Sequence, residues 1–173
     1  DNELAWLDWD LAAKNSSLVE FVRRLSDLRR SRLWLRRDTF LKGTRRSAAA
    51  RDITWLHPSG REMTEADWAD DSLRSLAVHM CGASYTRAGP DGDLLAAFNA
   101  DDSPVDMQLP AASRGEAWRV LIDTARADAG EGGGLVRCRE TLRVEARSTV
   151  RDSAASDQEK PTRGPKLLAS TRN

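Results

Sequence analysis

Apolar residues recur at three- and four-residue spacing early in the chain: Leu18, Phe21, Val22, Leu25 and Leu28. That spacing puts all five on one stripe of a helix. Asn15, Ser16 and Ser17 precede the stripe and offer short side-chain oxygens to the unpaired amides of a first turn. Ser17, followed three residues on by Glu20, has the form of a capping box. The pattern predicts a helix ending between Arg30 and Leu33, with arginines over much of its other face. One helix with one apolar stripe is not a domain, and must bury that stripe against something else.

From about Arg51 the period shortens. Strands are predicted over residues 52–57, 75–81, 94–99, 105–109, 117–123 and 142–150. Pro58-Ser59-Gly60, Gly82 and Gly89-Pro90-Asp91-Gly92 supply turns. Residues 62–71 read as a polar excursion carrying Met63 and Trp68, and residues 130–134 as a flexible connection. The expected class is mainly β, with short strands at this spacing closing an antiparallel β-sandwich. Residues 151–173 are polar, with only Leu167 and Leu168 to bury, and read as a disordered tail. The opening dozen residues are dense in tryptophan and acid, and read as an ordered loop whose Trp6 and Trp9 need somewhere to pack.

Composition adds boundaries. Apolar residues make up 40% and charged residues 31% of the chain, a soluble globular balance with a hydrophilic bias. No apolar run approaches the roughly 20 residues that span a bilayer, so no membrane partner is expected. The N-terminus lacks a secretory pattern. It opens on Asp1 rather than methionine, so the expectation is a fragment or a processed piece. Formal net charge is zero, yet eleven basic and three acidic residues fall between Leu18 and Arg51, a local excess of +8. Such an excess suits nucleic acid. Without aromatic residues interleaved for base stacking, it reads instead as a solvated helix face and loop, and no nucleic-acid partner is expected. Cys81 and Cys138 make no disulfide framework, and a reducing, cytoplasmic setting is expected.

Candidate chemistry is sparse. His79 and Cys81 share one face of a strand, but no CxxC or HxxxH spacing accompanies them, so no metal site is expected. Ser84 or Ser148 as a nucleophile would need a histidine base and an orienting acid, and neither of the two histidines has a recognisable setting. Residues 130–134 lack the lysine and helix of a phosphate loop. No cofactor is expected.

The opening D-N-E-L-A-W-L-D-W, Asp1 to Trp9, resembles the D-N-E-x-x-W-L-D-W segment of bacterial glycogen debranching enzymes and isoamylases of the α-amylase superfamily. Further similarity follows in order. L-V-E-F-V-R-R-L-S-D-L-R-R from Leu18 is similar to that family's last barrel helix. D-I-T-W-L-H-P-S-G-R-E-M-T-E-A-D-W from Asp52 resembles its link into the C-terminal domain. L-L-A-A-F-N-A from Leu94, W-R-V-L-I-D-T-A from Trp118 and E-A-R-S from Glu145 resemble strands of the terminal sandwich. The resemblance covers about residues 1–150. It departs in a shorter segment after Gly82, in L-L-A-A-F-N where the family carries L-L-L-L-N, and in T-V-R-D-S-A after Ser148.

The resemblance implies a (β/α)8 barrel followed by a β-sandwich, and hydrolysis of α-1,6 branch linkages in glycogen or related α-glucans. It places residues 1–50 at the end of the barrel, as an active-site-face loop and final helix. Residues 51–150 are then the sandwich and 151–173 the tail. The family's nucleophile, general acid and third aspartate lie before the D-N-E segment, so no catalytic residue is expected here and the isolated chain is expected to be inactive.

Glu3, Asp8 and Asp10 do not replace them. A retaining glycosidase needs carboxyl groups about 5–5.5 Å apart across one bond, and barrel enzymes draw them from different strands. Asp1, Asn2 and Glu3 are expected either to line the glucan groove or to brace its loop. Trp6 can stack on a sugar ring or peg the loop to the barrel. These four are the candidate substrate-binding residues, with α-glucan as the partner through the upstream barrel. For Trp55, Trp68 and Trp118, packing is the expected role. The alternative is a non-catalytic glucan-binding or protein-interaction sandwich. The first reading predicts an exposed apolar face on the helix from Leu18 to Leu28; the alternative predicts a self-contained core and an exposed aromatic platform.

Overall fold

The computed structural model describes residues 6, 9–43, 51–82, 92–112, 116–126 and 134–154. Two short N-terminal elements lead into the longest helix: α1 (Asp10–Lys14) and α2 (Ser16–Ser31), followed by a 3-10 turn at Leu33–Arg36. The described strands are β1 (Ile53–Leu56), β2 (Ser75–Met80), β3 (Leu94–Asn99), β4 (Val105–Gln108), β5 (Ala117–Asp123), β6 (Leu135–Arg137), β7 (Thr141–Val144) and β8 (Ser148–Ala154). A single helical turn, α3 (Glu65–Trp68), lies between β1 and β2.

Six strands form one sheet in the order β1-β2-β3-β8-β5-β6, and β4 pairs with β7 in a second. All pairings are antiparallel. The core lies between the two sheets, because alternate residues of each strand point to one side. Leu56, Ala77, Ala97 and Val150 stand side by side across the large sheet. They pack with Leu95 and Trp118 against Met107, Leu142 and Val144 of the small one. Trp118 is fully buried, and its indole N–H donates to the Pro110 carbonyl at 3.0 Å. Burying an apolar side chain of this size contributes roughly 1.5–3 kcal/mol. This is the predicted antiparallel sandwich.

The opposite face of the large sheet carries a second row, Trp55, Val78, Ala96, Arg151 and Ile122. Val78, Ala96 and Ile122 are buried there, so β3 is covered on both faces from Leu94 to Ala97, while Phe98 is left 41% exposed. That explains why L-L-A-A-F-N reads as a continuous apolar run rather than an alternation. Arg151 sits among these apolar side chains, and its burial lowers the guanidinium pKa. Asp52 fastens the preceding segment to this side. Its carboxylate accepts from the Lys42 and Gly43 amides at 3.0 and 2.9 Å. Burial would raise the Asp52 pKa, but the amides of Lys42, Gly43 and Ile53, with Arg37 nearby, hold it below its ordinary value.

Several local expectations change. Asn15, not Ser17, precedes α2, and its side chain makes no capping bond; its amide donates instead to the Leu11 carbonyl. Glu20 is taken by Arg23 and Arg24, so the Ser17–Glu20 box does not form. The capping box lies elsewhere, at Thr64 and Asp67, inside the stretch read as a polar excursion. The single strand predicted over 142–150 is two strands, β7 and β8, turned at Arg147 with φ 52°. β6 follows the glycine-rich connection, and β8 runs through Ala154. Residues 151–154 of the predicted tail are therefore strand, paired to β3 and β5, and its remainder, residues 155–173, lies outside the described residues.

Candidate functional site

The α2 helix has the predicted apolar stripe but no buried residue. Leu18 is 60% exposed and Val22 52% exposed. Its polar side is laced by ion pairs that follow helical spacing: Arg23 and Arg24 with Glu20, and Arg30 with Asp27. Arg23 first, then Arg24, holds the Glu20 carboxyl below its ordinary value. Such exposed pairs add little stability. Leu28, with Glu20, Arg23, Arg24 and Asp27, opens onto a cavity of about 570 Å³ whose far side is Leu121 and Ile122 of β5. The helix thus lies beside the outer face of the large sheet without sealing it.

Of the four predicted substrate-binding residues, Asp1, Asn2 and Glu3 lie outside the described residues. Trp6 is described and is 66% exposed; Trp9 is 78% exposed. Neither indole is a core peg among the described residues. Asp10 lies exposed on α1, whereas Glu3 and Asp8 fall outside the described residues. The most heavily engaged carboxylates brace structure. Asp93 is fully buried, accepting from the Gly82 amide at 3.0 Å and pairing with His79 Nε2 at 3.1 Å. His79 in turn meets Trp118 edge to face. Among the described residues no group of three or more His, Cys, Asp or Glu could hold a metal ion.

A second surface feature escaped the sequence reading. β1 turns back at Pro58-Ser59-Gly60 and returns so that the Met63 amide donates to the Trp55 carbonyl at 2.9 Å. Thr64 then caps α3. The Thr64 hydroxyl accepts from the Asp67 amide while the Asp67 side chain reaches back to the Thr64 amide at 2.7 Å. Arg61 clasps the same carboxylate through both terminal nitrogens. This clasp sets Trp68 at the end of α3 against Trp55 of β1. The ring centroids are 5.6 Å apart and the planes 76° apart. Trp55 is 43% exposed and Trp68 55% exposed, so the pair is a surface feature rather than core packing. A groove of about 430 Å³ runs beside them, bordered by Lys42, Arg51, Thr54 and Glu62. Arg51 and Glu62 pair across its rim at 3.0 Å. The signal available in the sequence was the Trp-x12-Trp spacing around a Pro-x-Gly turn.

Residues 52–150 match the family described as isoamylase, C-terminal. The glycogen operon protein GlgX homolog of Mycobacterium tuberculosis is 36% identical over 158 residues, covering 87% of this chain and 22% of that protein. The isoamylase of Pseudomonas amyloderamosa is 26% identical over 142 residues, covering 82% of this chain and 17% of that protein. The chain therefore spans about a fifth of the length of these curated relatives. In fold it is similar to a type I pullulanase from Bacillus subtilis solved with maltose. The TM-score is 0.54 at 18% identity, covering 87% of this chain and 17% of that one. No described helix is long and apolar enough to cross a membrane.

Proposed function

The chain belongs to the isoamylase C-terminal family, and on that premise we propose that it is the C-terminal portion of a glycogen debranching glycoside hydrolase. The whole protein cleaves α-1,6 branch linkages in glycogen or related α-glucans, and its catalytic carboxylates lie outside this chain. Residues 1–50 complete a barrel, the sandwich that buttresses it runs from residue 51 through the end of β8 at Ala154, and the residues after it are an appended tail. The observation that carries this reading is the contrast between the two parts. The sandwich closes its own core around Trp118, whereas α2 leaves an apolar stripe exposed. An amphipathic helix with an unburied stripe needs a partner surface, and the last barrel helix of a longer protein has one.

Within that protein, Asp1, Asn2, Glu3 and Trp6 line or brace the glucan groove, and α-glucan is the partner through the barrel. The exposure of Trp6 supports a role at a surface. Only two cysteines, Cys81 and Cys138, in 173 residues fit a reducing, cytoplasmic setting.

Reducing-end release from glycogen tests the catalytic part of the reading. The isolated chain is expected to release none. Branch-point hydrolysis by the isolated chain would overturn it and return Glu3, Asp8 and Asp10 as working acids.

A further inference from the structure

We propose that the groove beside Trp55 and Trp68 is a binding site for a short run of α-1,4-linked glucose units. The choice of glucan as ligand rests on the debranching reading; the existence of a site rests on the geometry.

The two indoles meet edge to face, 5.6 Å between centroids and 76° between planes. They form a corner rather than a flat platform. A glucose ring has one face of C–H groups that stacks on an indole and an equatorial fringe of hydroxyls that needs polar partners. Indoles provide large rigid apolar area at low conformational cost. The polar partner at the rim is the Arg51–Glu62 ion pair, with Lys42 and Thr54 also bordering the groove. Guanidinium and carboxylate groups held in place by each other are preset to donate to and accept from vicinal hydroxyls. The groove, about 430 Å³, falls within the range of small-molecule clefts, about 300–1,000 Å³. A chain of α-1,4 linkages curves from unit to unit. It therefore meets two surfaces set at an angle, whereas a straight β-1,4 chain is matched by coplanar rings.

The corner is built, not incidental. Trp55 is fixed by its place in β1, paired to β2 at Val78. Trp68 is fixed by the clasp of Arg61 and Thr64 on Asp67. Two half-exposed tryptophans in contact, held in one geometry by a polar fastener, make a contiguous aromatic patch of the kind that marks a binding surface.

The test is titration of the 173-residue chain with maltoheptaose, followed by tryptophan fluorescence and backbone chemical shifts, with cellohexaose as the β-linked control. The expected result is saturable binding that perturbs residues 51–68, with no response to cellohexaose. Trp68→Ala weakens it about tenfold, the loss of one aromatic contact, and Trp68→Tyr keeps most of it. Both substitutions sit at an exposed position, and an unchanged thermal midpoint shows that they fold. No saturable response, equal response to cellohexaose, or undiminished binding by Trp68→Ala would each overturn the proposal. The same titration is repeated on the chain joined to a family barrel. Loss of binding on joining would mean that protein, not glucan, covers the groove, and would also overturn it. The two readings fail separately. A joined enzyme that debranches normally but whose groove binds no maltoheptaose sinks only the groove. A joined enzyme that binds at the groove but never cleaves a branch point supports the groove and sinks the debranching reading.

Discussion

The Asp67 carboxylate accepts from both terminal nitrogens of Arg61, at 2.5 and 2.6 Å. The two residues are six apart in sequence, on either side of the turn into α3. A bidentate pair of this kind is stronger than an ordinary surface ion pair, and Thr64 adds two further hydrogen bonds to the same carboxylate. Arg61 first, then the Thr64 amide and hydroxyl, hold the Asp67 carboxyl far below its ordinary value of 3.8. A carboxylate with a lowered folded pKa adds stability that is present above its unfolded pKa and lost as pH falls through the folded one. Asp67→Ala is therefore expected to lower the thermal midpoint near neutrality. The difference from the parent should close progressively below about pH 4. A difference independent of pH down to strong acid would contradict the role of the charge. Trp68 emission should also shift to the red in this variant as the indole loosens from Trp55.

Gly60 has φ 82°, and a β-carbon there would lie 3.1 Å from Gln108 Cβ, Cγ and carbonyl oxygen. The close approach is structural, since the Gln108 amide donates to the Pro58 carbonyl and docks β4 on the turn. Gly60→Ala should cost about 1–2 kcal/mol from the left-handed backbone alone, with more from the contact with Gln108. Urea unfolding at constant m-value checks it. A stability change inside error would mean the turn relaxes freely.

Asn99 is a hub in the sandwich. Its side-chain amide donates to the carbonyls of Ser103, Val144 and Glu145, and its oxygen accepts from the Asp101 amide. It ties the end of β3 to the β7–β8 turn, 45 residues away in sequence. Asn99→Ala strands the buried Val144 carbonyl and should cost about 1–3 kcal/mol, measured by urea midpoint.

Much of the sandwich was legible because its strands alternate or run apolar between strong turn residues. Leu94–Asn99 and Ala117–Asp123 fall where the pattern puts them. β6 was not, since Leu135–Arg137 is three residues long and only edge-paired to β5. The β7–β8 boundary was also hidden. It depends on Arg147 adopting a positive φ, which no glycine or asparagine announces. α3 is a single turn held by its capping box and Arg61, without a periodic stripe. The groove was missed for a related reason. Tryptophan in a strand or linker packs inward more often than not, and only the register of β1 reveals that Trp55 points away from the core.

The α2 stripe gives a prediction with two arms. Leu18→Ser and Val22→Ser together should change the stability of the isolated chain by no more than about 0.5 kcal/mol, as for substitutions at exposed sites. In a chain joined to its barrel the same changes should remove roughly 1.5–3 kcal/mol per side chain. Equal effects in both contexts would mean that the stripe has no partner upstream.

The most direct measurement is branch-point hydrolysis by a chimaera. The C-terminal fifth of the mycobacterial relative is removed and this chain is put in its place. Reducing-end release from glycogen is then compared among the relative, its truncated form and the chimaera. Activity lost on truncation and restored in the chimaera is the expected result, with none from this chain alone. A folded chimaera as inactive as the truncated form would contradict the reading of this chain as the terminal portion of a debranching hydrolase.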